Sequence, residues 1–480
     1  MRTSSNNQTS SYLLVSWLFL RGLALFYFAA FASMLVQIEG LIGSQGILPV
    51  RDWLSTIMLQ EHGIPLFRVP TLFWFNASDT ALMVSCGLGL LAAVALLLNI
   101  LPRTALLLCY GLYLSLVQVG QVFTSFQWDA FLLETGFLAI FLTWGAKPTV
   151  FMFRWLLARF MFMGGVVKIA SGDPNWANLT ALNYHYQTQP LPSPLAYYAH
   201  FLPSEFQQFC VTVVLLIELV IPVLVFLPRR FRLVAAWCFI ALQIGIILTG
   251  NYTFFNLLTL WLCLFLFDDR DLQRWLPFKL ARKISAQPLY PGSVAYFCAV
   301  FWFGVILSIN ALSIWSANGQ HSLAPPLKSL LRLVDAFSLI NNYGPFAVMT
   351  TTRPEIIIQG SNDGSTWLDY RFKFKPDELS KGLTWNIPHQ PRLDWQLWFA
   401  ALKAPDVEHW LAMLMDRLLE GSKPVSQLFA ENPFLDQPPL YVRALLYEYS
   451  YNPPELRASS GQLWRRKYLG ELIPQTKLSR

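Results

Sequence analysis

Asp129, Glu134, Arg154, Arg159, Lys168 and Glu218 are charged residues that stand within or at the ends of long apolar runs. A charge in hydrocarbon is costly, so such residues are paired, face a polar cavity, or act on a ligand. Arg154 and Lys168 are 14 residues apart, roughly four helical turns, and share a face from which Arg159 points away. Counting along the apolar runs puts Glu134 and Lys168 about one turn below the outer surface, with Arg159 and Glu218 near mid-membrane. The expected pairs are therefore Lys168 with Glu134 and Arg159 with Glu218. Buried ion pairs that fix helix register are the first reading, and a ligand-contacting polar cavity is the second.

The stretch 172–190 follows Lys168 and is dense in hydrogen-bonding and aromatic groups: Asp173, Trp176, Thr180, Tyr184, His185, Tyr186, Gln187 and Thr188. Tyr184 and His185 are of the type that transfers protons, but no nucleophile or metal partner accompanies them. The loop is expected to fold back over the outer mouth of a helix bundle, as a lid or as a contact surface. Asp173, five residues beyond Lys168, is expected to compete with Glu134 for that charge. The six histidines show no zinc-ligand spacing. The six cysteines, Cys86, Cys109, Cys210, Cys238, Cys263 and Cys298, fall in or beside apolar runs and form no C-x-x-C. Gly-rich phosphate loops, G-x-S-x-G and H-E-x-x-H are all absent. The pattern points to no metal, no cofactor and no complete catalytic constellation.

The elements that position these residues are membrane helices. Of 480 residues 55% are apolar and only 13% charged, about half the charge of a water-soluble domain. Basic residues, net charge +7, sit in short loops and form no groove for nucleic acid. Nine runs of spanning character are predicted, at about 12–36, 80–101, 104–124, 130–146, 150–171, 208–228, 231–249, 252–267 and 294–314. The first is too long for a cleavable leader. Arg103, Lys147, Arg229, Arg230, Arg232, Arg270, Arg274, Lys279, Arg282 and Lys283 mark one side as cytoplasmic, against Arg51 and Arg68 on the other. Nine spans with a cytoplasmic N-terminus place residues 315–480 outside. That region holds 18 basic and 16 acidic residues, the balance of a soluble domain. It has strand patterns at 355–360, 367–374 and 440–449 and a helical pattern at about 393–420. The expected fold is an α-helical polytopic membrane protein of about nine spans, residues 1–314. A β-rich α+β domain, 315–480, follows on the non-cytoplasmic side, with 325–349 lying along the interface.

Several of these stretches together closely resemble the lipase maturation factor family: GLIGSQGILP (40–49), WDAFLLETGF (128–137), RWLLARFMFMGGVVKI (154–169), GDPNW (172–176) and LTALNYHYQTQP (179–190). The resemblance continues at NYTFFNLLT (251–259), NYGPFAVMTTTRPE (342–355) and HQPRLDWQ (389–396). It singles out Arg353, Glu355, His389, Arg392, Asp394 and Trp395 in the outer domain. It departs at Asn175, where the family usually has Cys, and at Ser171, where a basic residue is common. A thiol-dependent role for the loop is therefore not expected. The resemblance implies a membrane chaperone that helps secreted clients, lipases among them, to fold or assemble. The membrane part is similar to that of vitamin K-dependent carboxylases, and the rival expectation is an enzyme acting on a lipid or quinone-like substrate. Membrane lipids and a secreted client are the expected partners. The compact chain, with no ER-retention ending, suggests a bacterial inner membrane, or the ER membrane in a eukaryote.

Overall fold

The computed structural model describes residues 12–142, 147–274, 297, 300–309 and 325–478. Lys279, Arg282, Lys283, Cys298 and His321 lie outside the described residues, as do 315–324 and much of the ninth predicted run. Helices stand at the first eight predicted runs: α1 (Leu13–Leu35), α2 (Asp79–Leu97), α3 (Pro102–Val119), α4 (Gln127–Leu142), α5 (Lys147–Ala170), α6 (Ser204–Leu219), α7 (Arg229–Thr249) and α8 (Phe255–Leu262). Five of the described helices are long and apolar enough to cross a membrane: Leu13–Leu35, Asp79–Leu97, Pro148–Ala170, Ser204–Leu224 and Arg229–Thr249. The others are shorter; α4 has 16 residues and α8 has eight. Val300–Ile309 is a short apolar helix within the ninth run.

α1 is the centre of the bundle and packs on α2, α4 and α8. The Asp269 carboxylate accepts the backbone N–H groups of Leu13, Leu14 and Val15 at 2.8, 3.0 and 3.1 Å. Those donors open α1 and have no partner within the helix, so a distant carboxylate fixes where it starts. α1 meets α4 closely at Gly136, where a Cβ would fall 1.8 Å from the Tyr27 hydroxyl.

The chain then forms the amphipathic helix α9 (Pro325–Ala336) and an extended stretch that runs into the C-terminal domain. Its sheet is antiparallel in the order β2-β1-β3-β4: β1 (Pro354–Ser361), β2 (Leu368–Asp369), β3 (Tyr441–Tyr451) and β4 (Trp464–Thr476). Its two longest helices after the first strand are α10 (Arg392–Leu402) and α11 (His409–Leu419), of 11 residues each. The single predicted helix is thus two, separated at 403–408 around Pro405, whose ring removes a helical donor. The predicted returning strand at 367–374 pairs over two residues only. Beyond Tyr370 the chain leaves β1 and Arg371 bridges to Glu431 instead. β4 was not among the predicted strands. Bundle and domain share one apolar core, with Phe126 and Trp128 packed against Trp395 at ring distances of 5.9 and 4.7 Å.

Candidate functional site

Four of the charges inside the bundle form two ion pairs, but not as depth alone suggested. Arg159 bonds Glu134, and Lys168 bonds Glu218 through both carboxylate oxygens at 2.9 and 2.7 Å. Both expected pairings are therefore corrected. The α4 end of the bundle packs against the C-terminal domain, with Asp129 and Glu134 both buried, so distance along the run does not set the partner of Glu134. On the other side Gly165 lets α6 approach α5 closely. A Cβ at Gly165 would lie 2.8 Å from Leu219, and this contact brings Glu218 beside Lys168. Asp173 does not compete for the lysine. It accepts the backbone N–H groups of Met349 and of Asn175, the latter at 2.8 Å. Burial pushes the Asp173 carboxyl up, but these hydrogen bonds outweigh it and hold it below the usual range. Arg154 lies elsewhere, donating to the Phe265 carbonyl at 2.8 Å and the Tyr12 hydroxyl at 2.7 Å.

Residues of the C-terminal domain complete these pairs. Arg392, fully buried, grips Asp129 with two bonds of 2.8 Å, and Tyr113 also bonds that carboxylate. Tyr343 donates to Glu134 at 2.8 Å and the Asn341 N–H does so at 3.0 Å. Arg353, also fully buried, donates to the carbonyls of Gln187 (2.8 Å), Gln189 and Pro190 (2.8 Å) and pairs with Glu355 at 2.8 Å. Lys375 pairs with the other Glu355 oxygen at 3.0 Å. Asp394 accepts the Phe374 and Lys375 N–H groups at 2.9 Å; burial nevertheless raises its carboxyl pKa. His389 bonds Ser33 at 3.0 Å. Burial, then the charges of Lys373 and Arg392, lower its pKa to about 4.

The loop 172–190 lies between bundle and domain. Two short helices, Pro174–Ala177 and Ala181–Thr188, shape it. Trp176 donates to the Phe346 carbonyl at 3.0 Å and Thr180 bonds Asn175 at 3.3 Å. The Gln187 side chain accepts the Tyr451 N–H at 2.9 Å, and the Thr188 carbonyl accepts from Trp398 at 2.8 Å. Tyr186 is partly buried, and its carbonyl accepts from the Tyr451 hydroxyl at 3.3 Å. Tyr184 alone of the predicted loop residues is exposed.

Lys168, Glu218, Trp176 and His185 meet at a cavity of about 130 Å³. Gln243, Tyr252 and Asn256 add polar groups to it, and Phe160, Val214 and Phe255 are among its apolar walls. Burial, then the Lys168 charge, lowers the His185 pKa to about 4, so the ring is neutral near neutral pH. Among the described residues no group of three His, Cys, Asp or Glu is placed to hold a metal. Tyr113, Gln243 and Asn341 were missed, because single polar residues inside apolar stretches carry no spacing signal, and Lys375 because a lone lysine in a soluble domain carries none. Tyr252, Asn256 and Tyr343 stood in the resembling stretches but were not read as site residues.

Comparison with known proteins assigns the arrangement. Residues 14–274 match the family described as the lipase maturation factor transmembrane domain, and residues 339–474 match the lipase maturation factor C-terminal domain. The chain belongs to the lipase maturation factor family. It is 36% identical to lipase maturation factor 2 of Gallus gallus, covering 95% of this chain and 80% of that protein. Identity to the Homo sapiens lipase maturation factor 2 is 36%, over 96% and 82% of the two chains. Identity to the Homo sapiens lipase maturation factor 1 is 33%, over 98% and 89%. No solved structure matches the chain. These lipase maturation factors are vertebrate proteins, so a bacterial inner membrane gains no support from them. The rival expectation of an enzyme gains none either.

Proposed function

We propose that this chain is a membrane-embedded maturation factor that assists secreted lipases to fold or assemble on the non-cytoplasmic side of its membrane. The observation that carries the reading is the match to both family domains in order over most of the chain. The lipase in the relatives' names is, for this chain, the client class. The finer assignments belong to the same reading: nine crossings, a cytoplasmic N-terminus, and the ER membrane as its location.

Buried pairs tie the C-terminal domain to the bundle, which makes it a fixed platform for a client. Among the described residues β4 pairs only with β3, leaving 13 residues of strand with an open edge. Arg465, Arg466, Lys467, Tyr468 and Leu469 are exposed along it. An open edge with exposed apolar side chains takes up an extended segment by strand addition, the form in which an incompletely folded client presents itself. Tyr184 on the loop is a second accessible contact.

Co-expression with a secreted lipase in cells deleted for their own maturation factors tests the reading. Secreted lipase activity should rise with this chain, and the double change Tyr468→Lys and Leu469→Lys should remove the rise at unchanged abundance. A correctly inserted chain that leaves secretion of every lipase tested unchanged would refute the proposal.

A further inference from the structure

The cavity beside Lys168 has a hydrogen-bonding character of its own. The three Lys168 ammonium donors are taken: one by the Gly164 carbonyl at 3.0 Å, two by Glu218. The pair is charge-balanced, and the face of Trp176 lies 5.3 Å from the lysine nitrogen. Nothing in it remains to bind an anion.

The His185 tautomer follows from its neighbours. Gln189 Nε2 donates to the Thr249 carbonyl at 2.7 Å, so its Oε1 is the acceptor for the Tyr252 hydroxyl at 2.7 Å. Tyr252 has one proton, and it goes to Gln189. At 3.2 Å from His185 Nε2, the Tyr252 oxygen must therefore accept. A neutral imidazole that carries its proton on Nε2 has a bare lone pair on Nδ1. That nitrogen makes no hydrogen bond among the described residues, yet it is not sealed away from a probe as His200 Nδ1 is. Asn256 repeats the pattern: Nδ2 donates to Gln243 Oε1 at 2.6 Å, and Oδ1 is left as an acceptor. His185 Nδ1 and Asn256 Oδ1 are thus acceptors left open in apolar walls, beside the second amide N–H of Asn256 and of Gln243.

We propose that this cavity is a binding site for a neutral, hydroxyl-bearing lipid, whose hydroxyl donates to His185 Nδ1. A hydroxyl, donor and acceptor at once, complements both kinds of group; a carboxylate would meet the His185 lone pair and Glu218, and an ester without a hydroxyl has no proton to give His185. The volume is close to that of an engineered cavity that binds benzene, enough for the head and a few carbons, with the rest of the chain outside. The source is the bilayer. α6 and α7, which contribute Val214 and Ile246 to the wall, also expose Phe209, Leu216, Ile244 and Leu248 on their outer surfaces. This binding does not depend on client maturation, and either proposal can fail without the other.

The test uses the full chain in lipid nanodiscs with three probes of one chain length: 1-decanol, decanoate and methyl decanoate. Native mass spectrometry should show 1-decanol bound at least tenfold more tightly than the other two. Val214→Trp, which fills the cavity, should abolish its binding, and His185→Phe should abolish the preference. In the wild-type protein with ¹⁵N-labelled histidine, the resonance of an unprotonated Nδ1 should move on adding 1-decanol and stay with decanoate. Equal binding of the three probes, a preference that survives His185→Phe, or a histidine resonance indifferent to 1-decanol would each overturn the proposal.

Discussion

Lys168 and Glu218 hold each other in a region where neither is tolerable alone. Removing the lysine leaves a buried carboxylate with no counter-charge, a loss of about 3–5 kcal/mol. Lys168→Leu is therefore expected to lower the melting temperature in detergent sharply, while the double change Lys168→Leu and Glu218→Leu recovers most of the loss. A double variant as unstable as the single one would mean that shape, not charge, matters here. His185 gives a pH signature. Its pKa is depressed from 6.5 to about 4, so the unfolded chain takes up the proton first. The neutral ring's contribution is whole above pH 6.5 and is lost as pH falls from there towards 4. Thermal stability should drop over that window, and the drop should be shallower in His185→Gln. His389, depressed to the same value, accounts for a remaining part. At this scale the sequence disclosed several of the bundle's charges, because an ionisable group in an apolar run stands out, although Arg21, buried on α1, was not singled out. It did not disclose their partners. Depth orders residues along one helix but says nothing of the azimuth or register of the next.

Gly165 on α5 supplies that missing register. Gly165→Val would push into Leu219 and Glu218 at a contact with no slack, at a cost of about 1–3 kcal/mol from overpacking. The variant should also lose the lipid preference of the neighbouring cavity, whereas Gly245→Val on α7, where a Cβ meets nothing within 4 Å, should retain both stability and preference. The helices themselves were readable, since a run of roughly 20 apolar residues has few folds open to it other than a membrane helix. β1 and β3 were readable for a related reason: their β-branched and aromatic residues form compact runs. β4 was not. Its sequence RRKYLGELIPQT (465–476) carries charge at one end and Gly470 and Pro474 at the other, and most of it is exposed on both faces. Such a strand forms because β3 offers a partner, and its own composition gives little sign of it.

Bundle and C-terminal domain depend on each other in a way that neither half of the sequence reveals. Arg392 and Asp129 are 263 residues apart, and both are fully buried where the two halves meet. Glu134 takes two of its partners, Asn341 and Tyr343, from beyond the bundle, and three loop carbonyls rely on Arg353. A chain ending at residue 314 would leave Asp129 without its arginine and expose the aromatic surface of Phe126 and Trp128. We therefore expect residues 1–314 expressed alone to aggregate or be degraded, although every predicted span is present. Arg392→Ala in the full chain should reproduce much of this, because it strands the same carboxylate in a site that excludes water. The double change Arg392→Met with Asp129→Leu should restore abundance, and size-exclusion chromatography in mild detergent would separate these outcomes. A monodisperse, thermally stable 1–314 fragment would show that the bundle closes over Asp129 by itself and that the domain is an independent passenger. In that event client capture would no longer require a platform fixed to the membrane, and the β4 edge would have to work on a tether.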